Sequence, residues 1–323
     1  MINLINKLNS ILKEEAVAGL DIGQDYISVA CLLIQNDGSI KLENLGWVKN
    51  EPNSSINSAA SLINTLWRKN RIKTRTVAFS FRSPSLLMRY FQYPNLSKEE
   101  LSSALQLEAE HIFQKPKEQL SIDWYLYPQA QPAHPDNKDN SKKIKEGILV
   151  VLPQQAVEKQ LLILEKADLY PIALDVSCMS FSRLFCMLKG FSKDEVICLG
   201  NLASRSADFS ILDNDSYIYP WSFYSQDGNW EKRLNDLVEN IKDILRYYQF
   251  KIRRRPVTKL VFTGQLSFQE GFQDVIKKSF ELPIEFWNPL KHLTFEKDIG
   301  SQEIKTYGPI MATSLGSAML NKT

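Results

Sequence analysis

Two segments of this chain, LDIGQDYISVACLL at residues 20–33 and NLASRSADFSIL at residues 201–212, share one pattern. In each, a strand-like apolar run enters a tight turn of small and polar residues, and a second strand-like run leaves it. Each hairpin opens one half of the chain. A repeat of this kind points to two related domains that face a shared cleft. With 323 residues, the chain is long enough to bury a large core and to divide into two domains or more.

The elements around the first hairpin follow a β-β-β-α-β order. Residues 16–21 and 26–35 read as a strand pair, and 40–49 as a third strand after the turn Asn36-Asp37-Gly38. Ile56, Ala60, Ile63 and Trp67 recur at helical spacing, and RTVAFSF is a strand. The pattern then changes. SLLMRYFQY reads as a strand ended by Pro94, and Ser97 with Glu100 has capping-box spacing at the start of a helix carrying Leu101, Ala104, Leu105 and Ile112. LSIDWYLY, ILVVLP and PIALDV read as strands and AVEKQLLILEKADL as a helix, so residues 85–172 form an expected β-α-β-β-α-β insert. Within it, residues 129–147 lack apolar periodicity and read as a mobile loop.

The first domain then takes residues 16–84 and 173–190, and the second takes 191–323. The second includes a long helix over 229–252 with Leu234, Leu237, Ile241, Ile244 and Leu245 inward. Residues 1–15 place Ile2, Leu4, Ile5, Leu8, Ile11 and Leu12 on one helical face. That face suits packing on its own domain, a partner, or a membrane surface.

Composition narrows the class. A hydrophobic content of 44%, a charged content of 24% and a net charge of +2 describe a globular chain with no bias toward acidic partners or nucleic acid. Cys31, Cys178, Cys186 and Cys198 lie in apolar runs without C-x-x-C spacing, as reduced core residues do. His111, His134 and His292 are scattered, so no metal site is expected. No apolar run reaches the ~18–20 residues of a membrane span, and the first residues do not read as a signal peptide. The expected location is cytoplasmic.

These segments, in this order, resemble the PilM family of type IV pilus assembly proteins, within the actin-like ATPase superfamily. LDIGQDYISVA resembles the first phosphate loop of that family. FQYPNLSKEELSSALQLEAEHIFQKPKEQLSIDWYLY resembles its inserted subdomain, and ILVVLPQQAVEKQLLILEKADLYPIALDV the stretch that closes it. LVFTGQLSFQEGF followed by ELPIEFWNPL resembles the adenine-side turn and the next strand. The resemblance implies an α/β, actin-like (ribonuclease H-like) two-domain fold with an FtsA-like insert. It also implies a cytoplasmic scaffold held peripherally at the inner membrane, within a pilus or competence complex. Its partner would be the cytoplasmic tail of a PilN-like membrane protein, in a groove between the first subdomain and residues 85–172, with self-association left open. FtsA is a poorer match, because this chain ends SLGSAMLNKT without an amphipathic tail. GspL of type II secretion is a closer rival, and a full GspL would continue into a transmembrane helix.

The resemblance assigns a nucleotide pocket residue by residue. ATP with Mg²⁺ would lie between the hairpin turns, against backbone N–H groups, with an Asp at each turn holding the ion through water. In the first turn Asp21 and Gly23 match, with Asp21 the Mg²⁺ position, and Gln24, Asp25 and Tyr26 replace the usual hydroxyls. Ser28 stands where a neutralising Lys is common. In the second turn Asn201 takes the Asp position and Ala203 the Gly position, and Arg205 is a candidate for the lost positive charge. Thr263 and Gly264 replace the paired glycines of the adenine side. Asp175 matches a water-positioning residue or, equally, a helix-capping Asp. With these departures a nucleotide-binding pocket is partly degenerate and hydrolysis is not expected. The alternative roles are an ATP-binding switch or weak ATPase of the same complex, or a GspL-like type II secretion component.

Three further features read as structural. Lys251, Arg253, Arg254 and Arg255 suit the C-terminal end of a helix. Glu108, on the apolar side of its helix, is placed to pair with Arg89. Trp124, Tyr125 and Tyr127 lie on one insert strand, as packing residues or as an edge that accepts a peptide.

Overall fold

Residues 17–34, 40–51, 54–127, 144–213, 217–225, 229–253, 255–295 and 300–320 are described by the computed structural model. The expected amphipathic segment at 1–15 and residues 129–143 of the expected loop lie outside them. The first apolar run becomes β1 (Ala18–Ile22), which pairs antiparallel with β2 (Tyr26–Ile34). β3 (Ile40–Lys49) continues the meander. α1 (Ile56–Lys69) starts where the Ser55 hydroxyl accepts the Ser58 N–H, a side-chain cap for one orphan donor. It buries Ile63, Leu66 and Trp67 against Leu20, Val29 and Phe79 of the sheet. β4 (Thr76–Phe81) then returns parallel to β1, as a helical crossover requires. β8 (Tyr170–Val176) adds beyond β4 and β14 (Thr294–Phe295) beyond β3, giving the order β14-β3-β2-β1-β4-β8.

A second sheet repeats the plan. β9 (Val196–Leu202), β10 (Ser206–Asp213) and β11 (Tyr217–Tyr224) form the meander. β12 (Lys259–Thr263) and β13 (Ile284–Phe286) lie parallel on the other side of β9, in the order β11-β10-β9-β12-β13. The crossover is α5 (Trp230–Tyr247), capped by the Asn229 side chain, with Leu234, Leu237, Val238, Ile241 and Ile244 buried. It ends in a π-turn over Tyr248–Arg253. Arg255 of the basic run ion-pairs with the buried Asp213 at 2.5 Å.

Two helices cross beside the first sheet at very short range. α4 (Ser177–Leu188) meets α8 (Ala312–Ala318) at Gly316, where a Cβ would stand 1.9 Å from the Ser180 carbonyl oxygen. Gly19 of β1 allows the same approach, because a Cβ there would meet the Ser314 oxygen at 1.9 Å. Hydroxyls fill this seam and satisfy one another: Ser80 with Ser180 (2.8 Å) and Ser317 (2.6 Å), and Ser28 donating to Ser314 (3.1 Å).

Residues Ser83–Leu161 form a compact unit of their own. β5 (Leu87–Pro94), α2 (Lys98–Phe113), β6 (Leu120–Leu126) and β7 (Ile144–Pro153) build it, with the sheet order β5-β7-β6. α2 opens with the expected capping box, both Ser97–Glu100 bonds being present. Leu101, Leu105 and Ala109 of α2 pack on Phe91, Leu120, Leu149 and Val151. Glu108 pairs with Arg89 at 3.1 Å and accepts from the Tyr93 hydroxyl at 3.0 Å. β7 begins at Ile144, so the last four residues of the segment read as loop are strand. Their register to β5 and β6 (Gln92 opposite Glu146, Leu126 opposite Gly147) is the non-local pairing that a periodicity reading does not contain. α3 (Gln154–Lys166) follows, and its Ile163 and Leu164 belong to the core of the larger unit, as β8 belongs to its sheet.

Candidate functional site

The two hairpin turns are built alike. The Gly23 N–H donates to the Tyr26 carbonyl at 2.9 Å, and the Ala203 N–H to the Ser206 carbonyl at 2.8 Å. Asp21 lies opposite Ser28 across the first hairpin, and Asn201 opposite Asp208 across the second. Directly opposed residues of an antiparallel pair share a face. The second hairpin therefore keeps a carboxylate on the equivalent face, carried by its outgoing strand.

Between these carboxylates lies Arg82, the residue after β4. Its Nε donates to Asp208 Oδ2 at 2.5 Å, one terminal nitrogen donates to the Ser177 hydroxyl at 2.7 Å, and the same nitrogen stands 4.0 Å from Asp21 Oδ2. Its other terminal nitrogen lies 3.6 Å from where a Cβ on Gly23 would be, over the first turn. Ser222 completes Asp208 by donating to Oδ1 at 2.8 Å. The Arg82 and Asp208 side chains are only 8% and 3% exposed. Burial opposes the charge on Arg82, but Asp208 and Asp21 outweigh it and hold the guanidinium above its usual range. At Asp21 burial is the largest influence and raises the carboxyl; Arg82 works the other way, and Asp208 adds to the rise. Asp21 Oδ1 accepts no hydrogen bond from the described residues.

A second link joins turn to turn. Asp25 Oδ2 accepts the Ser204 hydroxyl at 2.5 Å and the Ser204 backbone N–H at 3.2 Å. Asn50 braces the first turn, donating its side-chain amide to the Gly23 carbonyl at 2.8 Å.

Seven of the eight residues assigned to the nucleotide line one cavity with Arg82, and its volume is about 30 Å³. The eighth, Thr263, donates its hydroxyl to the Pro309 carbonyl at 3.1 Å. Asn201 donates its amide to Thr313 Oγ1 at 2.8 Å. Gly264, at φ +91°, serves close packing: a Cβ there would stand 2.5 Å from Asn201 Oδ1 and from the Leu202 backbone. Asp175 accepts the Val176 N–H, the Ser180 hydroxyl (2.7 Å) and Arg183 (3.0 Å), so its oxygens are engaged at the head of α4. Arg205 is exposed, and the positive charge in the cleft comes from Arg82 instead. A larger cavity of about 560 Å³ adjoins Gly264 and Gln265, walled by Tyr26, Trp47 and Tyr307; Trp47 stacks on Tyr307 with ring centres 4.5 Å apart.

The residues present do not fit a magnesium-bound triphosphate between the turns. The space between the turns is about 30 Å³, the size of one or two waters. Its single cation is committed to Asp208 and Ser177, and Asp25 would face an entering phosphate with like charge. Two of the deciding residues, Arg82 and Asp208, escape the sequence reading. Their signals are faint: an Arg directly after an apolar strand, and an Asp between Ala207 and Phe209 in a core strand.

A family model described as type IV pilus assembly protein PilM matches residues 19–222. Comparison with curated proteins finds no match. Among solved structures, the chain is similar to the PilM-PilN type IV pilus biogenesis complex, with a TM-score of 0.80 and 18% identity over 95% of this chain and 98% of that one. It is also similar to a Bacteroides thetaiotaomicron protein of actin-like ATPase fold and unknown function (TM-score 0.50, 12% identity, 86% and 93% covered). A third likeness is to the ethanolamine utilization protein EutJ of Carboxydothermus hydrogenoformans (TM-score 0.50, 9% identity, 94% and 89% covered). At these identities the likeness is one of fold, and the fold is actin-like.

Proposed function

Because the chain belongs to the PilM family of type IV pilus assembly proteins, we propose that it acts as a scaffold that docks the cytoplasmic tail of a PilN-like membrane protein. The supporting observation is that the likeness to the PilM-PilN complex runs over nearly the whole of both chains. Among the described residues no helix is long and apolar enough to cross a membrane. In this reading the tail supplies the tie to the inner membrane, and the scaffold remains peripheral on its cytoplasmic side. A short tail that orders on binding makes a regulated contact of moderate strength, since ordering consumes part of the interaction energy. The system served is a pilus or competence machine. An ATP-driven switch would need phosphate space between the turns, which Arg82 and the Asp25–Ser204 link occupy.

The test is calorimetry of the full chain with a peptide covering the cytoplasmic tail of a PilN-like protein from the same organism. The expected result is saturable binding with Kd on the order of 1 μM, together with loss of membrane recovery when the tail is deleted in cells. Absence of binding, with membrane recovery unchanged by the deletion, would overturn the proposal.

A further inference from the structure

We infer that this chain carries its own replacement for the ion and the phosphate of an actin-like cleft: Arg82 stands in for the divalent cation, and Asp25 for a phosphate oxygen. The inference does not depend on the partner proposed above. A metal–phosphate bridge has two parts, a cation shared by carboxylates and an anion received by the backbone N–H of a turn. Both parts are present here as side chains. Arg82 lies between Asp21 and Asp208, bonded to the second at 2.5 Å and 4.0 Å from the first. Asp25 reaches from the first turn into the second and accepts the Ser204 N–H and hydroxyl through one oxygen.

The choice of arginine follows from the task. Its planar fork directs separate donors at Asp208 on β10 and at Ser177 at the start of α4, and its stem comes from the end of β4, so one side chain ties three elements. A lysine would offer a point charge and could not hold the same directions. Asp25 in turn removes the need for an anion, because the turn's donors already have one. An entering phosphate would have to displace Arg82 from Asp208 and Asp25 from Ser204, within a space of about 30 Å³. The two hairpins are therefore joined without nucleotide, and the closed cleft is the resting state.

The experiment has a wild-type arm and a variant arm. Full-length protein is titrated with Mg·ATP in a calorimeter, and its unfolding temperature is followed with and without millimolar Mg·ATP. No heat and no shift are expected; a Kd below about 100 μM, with the stabilisation that linkage then requires, would overturn the inference. In Arg82→Ala, Asp21 and Asp208 lose their cation. The unfolding temperature should drop and recover in a saturable way with Mg²⁺ or Ca²⁺, while wild type does not respond. Arg82→Lys, which keeps the charge, should fall by less and respond to neither ion. A fall in Arg82→Ala that divalent ions leave unchanged would remove the cation role. Where Arg82→Ala does not fold, the wild-type titration still decides. Tail binding is not part of either readout, so the two proposals fail separately.

Discussion

Asp21 is a carboxylate taken out of water with one oxygen left without a hydrogen bond from the described residues, and that has a cost at neutral pH. Burial raises its pKa above the ordinary Asp value, so between that value and the raised one the folded chain holds more protons than the unfolded chain. Stability therefore falls as pH rises through this window. In Asp21→Asn the penalty is gone. Thermal unfolding across pH should show the variant more stable than wild type at pH 7, with the advantage shrinking as pH falls to the ordinary Asp range. A constant difference at all pH values would count against the raised pKa. At this scale the equivalence of the two turns was legible through the family resemblance, which set Asn201 at the place of Asp21 and Ala203 at that of Gly23, and the two turns close with the same backbone bond. Asp208 was not, because only strand register sets it opposite Asn201. Arg82 was not, because nothing local says which way a residue past a strand end will turn.

The elements follow from local rules more fully than the contacts between them. The Ser97–Glu100 capping box, the Asn229 cap and the apolar stripe of α5 each depend on residues within a few positions of one another. The crossing of α4 and α8 does not. Gly316 and Gly19 look like ordinary small residues until the fold sets a carbonyl 1.9 Å from the place of a missing Cβ. Gly316→Ala should force the Ser180 backbone away and break the Ser80–Ser180–Ser317 hydroxyl contacts. The expected loss is about 3 kcal/mol, at the upper end for overpacking, in denaturant unfolding. A loss below ~1 kcal/mol would mean that the helices separate without strain.

At the scale of the molecule, the same sheet plan is used twice, and a separate unit at Ser83–Leu161 has its own small core. Leu105 is fully buried in that core. Leu105→Ala should cost about 2–5 kcal/mol locally. In hydrogen exchange, protection should fall in β5, β6 and β7 while β9, β10 and β12 keep theirs; a uniform fall across all the sheets would mean that the chain unfolds as one unit. The sequence by itself determined the repeated hairpins and the helices with their caps, because each depends on spacing within a short stretch, and the resemblance of its ordered segments to a known family implied the actin-like fold. Tertiary structure alone decided what fills the cleft. Arg82, Asp25, Ser204 and Asp208 come from distant parts of the chain, and their charges acquire a role only when folding removes water and brings them within hydrogen-bond reach.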